Sequence, residues 1–465
     1  MAQPRGQWSG RLGFILAAAG SAVGLGNLWK FPYITYENQG GAFVLVYFGA
    51  VALVGLPIMM AEIILGRRGQ LNPVGTFRVL GEGRPGGRAW QALGFLGVAA
   101  GFVILSYYAV VAGWTLRYIQ MGLSGSLGDL AQDPGALQAY FGSYLADGPA
   151  QVTGLALFMA LTIGAVYFGV KGGIERVAVV LMPALFLILI ALTVYATTTP
   201  GFGRTMDFLF DPDFSRLSSR SILEALGQAF FSLSLGMGAI LTYGSYMGKE
   251  HSIPRSALQI CLLDTLVGVL ASVIMFSIIF SYDFEVTASA GILFTTLPTV
   301  FYQMPGGAII ATFFYVLVAF AALTSTISLM EVISSYSIDE LRWDRRRATL
   351  TMGAGVTVFG VLNALAMGGW RPVTDLNLFG KDASQGLIWS LDYLAANWLL
   401  PIGGLLIAVF SGWIMTRSDT WDEVRQGHPD AHAWFAGWRV LIRFAAPLAV
   451  GAIIFSIIFL GMEYQ

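Results

Sequence analysis

Glycine and polar side chains interrupt two apolar stretches of the chain that are long enough to cross a membrane. The first interruption is Gly20–Asn27, and the second is Ser232–Gly238. A break in a helix frees carbonyl and amide groups, which are tolerated at membrane depth only where they line a cavity. Freed carbonyl oxygens suit a hard cation such as Na⁺, and the amide end of a half-helix suits a carboxylate. The alternative for the first break is a helix-packing face built on Gly20 and Gly24.

Carboxylates and a hydroxyl cluster add further chemistry at membrane depth. Asp264 lies within a long apolar run, and an ionisable residue there is a functional candidate by default. Glu62 and Glu331 lie inside or near the ends of apolar stretches, and we expect Glu62 to accept hydrogen bonds from amides that a broken helix releases. The run 324–326 supplies three hydroxyls. Such side chains often bond back to a helix carbonyl, so this run alone is weak evidence for a site.

The composition indicates that lipid surrounds most of the chain. Of the 465 residues, 56% are hydrophobic and 11% are charged, and the mean hydropathy is +0.69. An average soluble domain has roughly 25% charged residues. We therefore exclude a soluble globular protein, a disordered chain and a nucleic-acid binder. Cys261 is the single cysteine, so no internal disulfide can form.

Eleven apolar stretches are each long enough for a spanning helix, which needs about 20 residues. A β-barrel is excluded because its strands are only about 10 residues long. We predict an all-α polytopic membrane protein that forms a single domain over residues 1–465. The stretches are 12–37, 42–66, 89–123, 152–170, 174–198, 221–247, 256–282, 307–337, 348–368, 387–415 and 436–462.

Basic residues in alternate connections predict the orientation. Arginine and lysine are concentrated after the second, fourth, eighth and tenth stretches, whereas the loop 124–151 contains neither. We therefore predict a cytoplasmic N-terminus and, with eleven spans, an external C-terminus. The segment Met1–Arg11 is too short and polar for a signal peptide, so the first stretch is interpreted as a retained helix. The apolar loop 286–305 is expected to pack back into the protein as a lid.

The two interrupted stretches are the first and the sixth, so the same break recurs in two five-helix halves. The first half would cover about 10–198, the second about 220–415, and an additional helix about 436–462. Paired breaks of this kind are typical of inverted-repeat transporters, whose binding site lies at the breaks.

Motifs along nearly the whole chain resemble the neurotransmitter:sodium symporter family. The segments that carry this resemblance are Trp8–Phe14, Gly20–Pro32, Glu37–Phe43, Gly227–Ser234 and Leu323–Ser325. The resemblance is strongest to the bacterial members that transport amino acids. It implies a 5+5 inverted-repeat fold with broken helices 1 and 6, sodium-coupled symport by alternating access, and a multi-pass position in the bacterial inner membrane.

The resemblance also implies two sodium sites. The first would use the carbonyl groups of Gly20, Val23 and Ala321 and the hydroxyls of Thr324 and Ser325. The second would use the Ala22 carbonyl, the side chains of Asn27 and Ser232, and Asp264. Neutral oxygen ligands suit a monovalent ion that must be released in each cycle.

A substrate pocket and two gates follow from the same resemblance. The substrate carboxylate would meet the amides of Leu25 and Gly26 and the Tyr108 hydroxyl, and it would ligate the second sodium ion directly. The rest of the pocket would consist of Ile104, Phe231, Ser234, Met237, Ser325 and Leu329. The implied outer gate is Lys30 with Asp392, and the implied inner gate is Arg5 with Asp339, supported by Trp8 and Tyr246.

Gly24 occupies the position at which the family's monoamine carriers have an aspartate. We therefore expect a substrate that brings its own carboxylate, namely an apolar amino acid, large or aromatic ones included. Another small zwitterion such as taurine or betaine remains an alternative. Chloride is expected not to be required, because Asp264 would supply a built-in negative charge. The alternative is a chloride ion bound by Tyr47, Gln228 and Ser232. Nothing in the sequence predicts an obligate protein partner.

Two rival functions are less consistent with the sequence. An intramembrane enzyme would need a nucleophile and a base in the bilayer, yet His251, His428 and His432 all fall in predicted loops. A channel could also use broken helices, but no repeated filter sequence occurs, and charged gate pairs are implied on both sides. We therefore predict a transporter rather than an enzyme.

Overall fold

The structure is a computed structural model that describes residues 6–282, 291–376, 378, 386–427 and 431–462. These residues form helices and no strands. Nine continuous helices are long and apolar enough to cross a membrane: α2 (Gly41–Gly69), α3 (Gly87–Ser124), α4 (Gly148–Tyr167), α5 (Val170–Ala196), α7 (Ile253–Ser281), α8 (Gly307–Glu340), α9 (Arg345–Ala366), α10 (Gly386–Ile414) and α11 (Ala431–Leu460). The prediction of an all-α membrane protein is confirmed.

The two remaining predicted spans are broken helices. The first consists of α1a (Arg11–Ala22) and α1b (Gly26–Glu37), which are bent by 56°. The second consists of α6a (Ser219–Ser232) and α6b (Ala239–Gly244). All eleven predicted stretches therefore contain helix, with bounds that differ by only a few residues.

The break in α6 has a clear backbone cause. Ser234, Gly236 and Gly238 all have positive φ angles, a conformation that glycine adopts without steric cost. A side chain at Gly236 would meet the Leu400 carbonyl oxygen at 2.4 Å. Because these residues leave the helix, their amide and carbonyl groups need partners elsewhere.

Glu62 of α2 supplies partners for part of this break. Its carboxylate accepts hydrogen bonds from the amides of Gly236 (2.7 Å) and Leu241 (3.2 Å). The side chain is completely buried. The expectation that Glu62 satisfies released amides is confirmed.

The broken helices lie at the centre of the molecule. Helix α1a packs against α5, α7 and α8, while α6a and α6b both pack against α2. Helix α3 packs along α8 and closes the remaining side. The breaks are therefore surrounded by protein rather than lipid, which is the condition for irregular backbone at this depth.

The loops are more structured than the sequence suggested. Residues 124–151, interpreted as a loop, contain the helices Ser126–Ala131 and Pro134–Ala146. The apolar loop forms the helices Ile292–Thr296 and Leu297–Phe301, whose backbone accepts hydrogen bonds from Tyr118 and Tyr315. Phe294 is completely buried. The expectation that this loop packs back into the protein is confirmed for 291–305, whereas its role as a lid stays a prediction, and 286–290 lies outside the described residues.

Candidate functional site

A hydroxyl group of α8 lies among carbonyl oxygens at the end of α1a. The Oγ atom of Ser325 is 3.2 Å from the carbonyl oxygens of Val23 and Ala321 and 3.5 Å from that of Gly20. The Thr324 hydroxyl lies 3.0 Å from the Ala321 oxygen. A hydroxyl carries one proton and can donate to only one acceptor at a time. The five groups implied for the first sodium site therefore lie close together. Their three carbonyl oxygens outnumber the two hydroxyl protons that could bond to them.

The second cluster surrounds the buried carboxylate of Asp264. Asn27 Nδ2 donates to one oxygen at 2.8 Å, and Ser232 Oγ donates to the other at 2.9 Å. The Tyr47 hydroxyl lies 2.9 Å from Ser232 Oγ. All four side chains are buried. Within the described part of the chain, no cationic side chain pairs with Asp264, and a buried carboxylate without an opposite charge is unfavourable unless it is protonated.

A cavity of about 30 Å³ lies between the two breaks. Its lining includes eight residues of the implied substrate pocket: Gly26, Ile104, Tyr108, Phe231, Ser234, Met237, Ser325 and Leu329. The ninth, Leu25, donates its amide to the Tyr108 hydroxyl at 3.0 Å. Ala22 of the second sodium cluster also lines this cavity. A volume of this size holds about one water molecule, so the cavity must widen to admit an amino acid.

Gly24 lines the cavity next to Tyr108 and Ser325. A Cβ atom at this position would lie 2.8 Å from the Tyr108 hydroxyl and 2.9 Å from Ser325 Oγ. The structure therefore leaves no room for an acidic side chain at position 24.

The two residues of the implied outer gate contact other partners in this conformation. Lys30 Nζ lies 4.3 Å from the centroid of the Phe231 ring. Asp392 accepts a hydrogen bond from the Tyr107 hydroxyl at 2.7 Å. The structure does not bring Lys30 and Asp392 into an ion pair, so their role as a gate stays a prediction.

Trp8, a residue of the implied inner gate, packs against the C-terminal end of α6b. Its indole NH donates to the Tyr243 carbonyl oxygen at 3.0 Å, and its backbone NH donates to that of Tyr246 at 3.3 Å. Asp339 accepts hydrogen bonds from the backbone and side chain of Asn72. Arg5 lies outside the described residues, so the implied Arg5–Asp339 pair stays a prediction.

The sequence analysis missed one pair of functional candidates and the partner of Glu331. Ser21 Oγ lies 2.7 Å from Ser328 Oγ, and both residues line the cavity. Their signal was present, since Ser21 lies in the first break and Ser328 follows Ser325 by three residues on one helical face. Beneath Trp8, Glu331 pairs with both terminal nitrogens of Arg345 at 2.7 and 2.9 Å. Only the fold reveals this second pair.

Comparisons with known proteins agree with this architecture. The model of the sodium:neurotransmitter symporter family matches residues 5–129 and 146–461. An uncharacterized sodium-dependent transporter of Bacillus subtilis strain 168, YhdH, is 39% identical over 452 residues, which are 97% of each chain. An uncharacterized sodium-dependent transporter of Haemophilus influenzae is 31% identical over 468 residues, or 98% of both chains.

A solved structure is similar over nearly the whole chain. The crystal structure of MhsT in complex with L-phenylalanine has 40% sequence identity and a TM-score of 0.87. The match covers 97% of the present chain and 100% of MhsT. The two proteins therefore share one fold, including the arrangement of helices around the breaks.

Proposed function

The chain belongs to the sodium:neurotransmitter symporter family and is a sodium-coupled membrane transporter rather than an enzyme, and we propose that it imports apolar amino acids. Large and aromatic amino acids are included in the proposed range. The observation that carries sodium-coupled binding at this site is the convergence of carbonyl oxygens and hydroxyls on Ser325, next to the cavity. A cation at that point would satisfy the acceptors that a single hydroxyl proton cannot.

We further propose that two sodium ions bind in each cycle. One would be held around Ser325 and Thr324, and the other beside Asp264, Asn27 and Ser232. The substrate carboxylate would replace the contact between Tyr108 and the Leu25 amide and would reach the second ion. Each ligand would then improve the site of the other, and such coupling is reciprocal by thermodynamic necessity.

The cavity wall supports an apolar substrate side chain. Ile104, Leu329 and Met237 line it beside the Phe231 ring, and within its described lining no acidic or basic side chain occurs. Methionine is unbranched and can repack around ligands of different shape. The crystallised complex of the similar protein MhsT with L-phenylalanine supports an aromatic substrate for this chain as well.

Transport would proceed by alternating access between two five-helix repeats, about 10–198 and 220–415. Lys30 and Asp392 would gate the outer side, and Arg5, Trp8, Tyr246 and Asp339 the inner side. The basic loops support a cytoplasmic N-terminus in a bacterial inner membrane.

A thermal-shift measurement tests the proposal directly. The purified full chain is heated with phenylalanine, leucine, glutamate, lysine, taurine or betaine, in NaCl and then in KCl. A ligand that binds only the folded state raises the melting temperature by mass action. We expect phenylalanine and leucine to raise the melting temperature in NaCl but not in KCl. Stabilisation by taurine or betaine instead would favour the alternative zwitterion, and equal shifts in potassium would contradict sodium coupling.

Gly24 provides a test of the pocket's shape. In Gly24→Ala the new methyl group would press on the Tyr108 hydroxyl and Ser325 Oγ, which lie under 3.0 Å from it. We expect phenylalanine affinity to fall at least tenfold, because overpacking a tight site typically costs about 1–3 kcal/mol. Isothermal titration in sodium measures the change. Gly49→Ala on α2 is the matched control, since its Cβ would meet no atom within 4 Å. Unchanged affinity in Gly24→Ala would place the substrate elsewhere.

A further inference from the structure

Three arginines lie together where α10 ends and α11 begins. They are Arg417, Arg439 and Arg443, and the charged neighbours of Arg439 are the other two. In the described part of the chain, none of the three forms an ion pair with a carboxylate. Three close positive charges without compensation repel one another, so an external anion would stabilise this region.

The acidic residues of the same segment are engaged elsewhere. Asp419 binds Arg68 at 2.5 Å and Arg84 at 2.7 Å. Glu423 binds the buried Arg67 at 2.9 Å, and Asp422 pairs with Arg425 at 3.0 Å. Asp419 and Glu423 therefore join the segment to α2 and to the connection before α3, and Asp422 pairs within the segment, which leaves the three arginines unneutralised.

Neighbouring groups hold two of the three guanidinium groups in place. Arg443 stacks on Trp413 at 4.5 Å from the ring centroid, and the Trp413 indole NH donates to the Arg443 carbonyl oxygen. Arg439 donates to Thr420 Oγ1 at 3.1 Å. The Nε atom of Arg443 is buried without a hydrogen-bond partner. A fixed guanidinium with an unused donor is suited to a phosphate, which arginine can bind through two parallel hydrogen bonds.

An apolar stripe begins beside these charges and runs along α11. Val440, Phe444 and Leu448 follow one another at four-residue intervals and are 59%, 50% and 74% exposed. Trp413 is 51% exposed and packs edge-on against Phe444 at 5.6 Å. Within a spanning helix such an exposed face contacts lipid chains. The three positive charges and the apolar stripe together match a molecule with an anionic head group and a hydrocarbon tail.

We propose that Arg417, Arg439 and Arg443 bind the phosphate of an anionic phospholipid whose acyl chain lies along Val440, Phe444 and Leu448. Ion pairs join the segment that carries this site to Arg67 and Arg68 at the end of α2 and to Arg84 in the connection before α3. The basic loops place this connection on the cytoplasmic side. Basic pockets between spanning helices on that side are suited to anionic head groups. The lipid would connect the end of α10 to α11 through its phosphate.

Native mass spectrometry of the purified full chain tests this site. The probes are dioleoyl phosphatidylglycerol and dioleoyl phosphatidylcholine, which differ in head-group charge. We expect the wild type to bind phosphatidylglycerol at least tenfold more tightly, and R417Q/R439Q/R443Q to lose this preference. Arg443→Lys keeps the charge but loses the two-pronged geometry, so an intermediate preference is expected. Arg425→Gln is the matched control, since Arg425 is an arginine of the same segment that is paired with Asp422.

Three outcomes would overturn the proposal. They are equal binding of the two lipids by the wild type, an unchanged preference in the triple variant, and the same loss in Arg425→Gln. If inorganic phosphate displaces the lipid at a concentration close to the lipid's own dissociation constant, the three arginines bind a soluble anion instead. Sodium-dependent thermal stabilisation by phenylalanine is recorded for every variant to show that it is folded. If the triple variant is not folded by this criterion, the test rests on Arg443→Lys. An unchanged preference for phosphatidylglycerol in Arg443→Lys would then contradict the proposal.

Discussion

Replacing Asp264 with asparagine is expected to weaken sodium binding about a hundredfold. Asp264 is buried, and its described partners are the uncharged side chains of Asn27 and Ser232. The asparagine oxygen can accept from Asn27, and its NH2 group can donate to Ser232 Oγ instead of accepting from it, so the change removes mainly the charge. A carboxylate about 5 Å from a sodium ion at an effective dielectric constant of about 20 contributes on the order of 3 kcal/mol. Sodium titrations monitored by thermal stability measure the loss.

Two further measurements separate this role of Asp264 from a general effect of charge removal. Asp147→Asn is the control, because Asp147 is an exposed helix cap and asparagine caps equally well. Its sodium affinity is expected to equal that of the wild type.

Wild-type transport is also expected to survive complete replacement of chloride by gluconate. Loss of transport in gluconate would show that an external anion, rather than Asp264, supplies the counter-charge.

The double change Thr324→Val with Ser325→Ala is expected to reduce sodium affinity by at least tenfold. It removes both hydroxyls from the carbonyl cluster around Gly20, Val23 and Ala321. The loss of a partner for buried polar groups costs about 1–3 kcal/mol for each group. Isothermal titration with NaCl, in the absence of any amino acid, measures the change.

Single variants distinguish the ion from the substrate. Ser325 lines the cavity and Thr324 does not, so Thr324→Val should weaken sodium binding with a smaller direct effect on the amino acid. Thr326→Val is the matched control on the same helix, because the Thr326 hydroxyl bonds to Thr162 on α4 instead. Equal sodium affinities in the double variant and in Thr326→Val would contradict the first sodium site.

Much of the architecture could be predicted from the order of residues. Apolar runs of spanning length can be recognised in the sequence, because every helix that crosses lipid must be apolar over its length and must bond its own backbone groups. The breaks were equally visible, since Gly24, Gly236 and Gly238 stand where an uninterrupted helix would otherwise continue. The role of Glu62 followed from the same rule, because amides that leave a helix at this depth need an acceptor. The site residues themselves came from the resemblance of these motifs to a known family.

Contacts between distant segments were decided only by the tertiary structure. The pairing of Glu331 with Arg345, the contact of Lys30 with the Phe231 ring, and the clustering of Arg417 with Arg439 and Arg443 depend on how helices pack. Sequence periodicity shows which face of a helix is apolar but not which helix covers it. Local lipid rules therefore determined the spans and their breaks, whereas the partners of each charge required the packed fold, because electrostatic contacts depend on distances that the chain order does not contain.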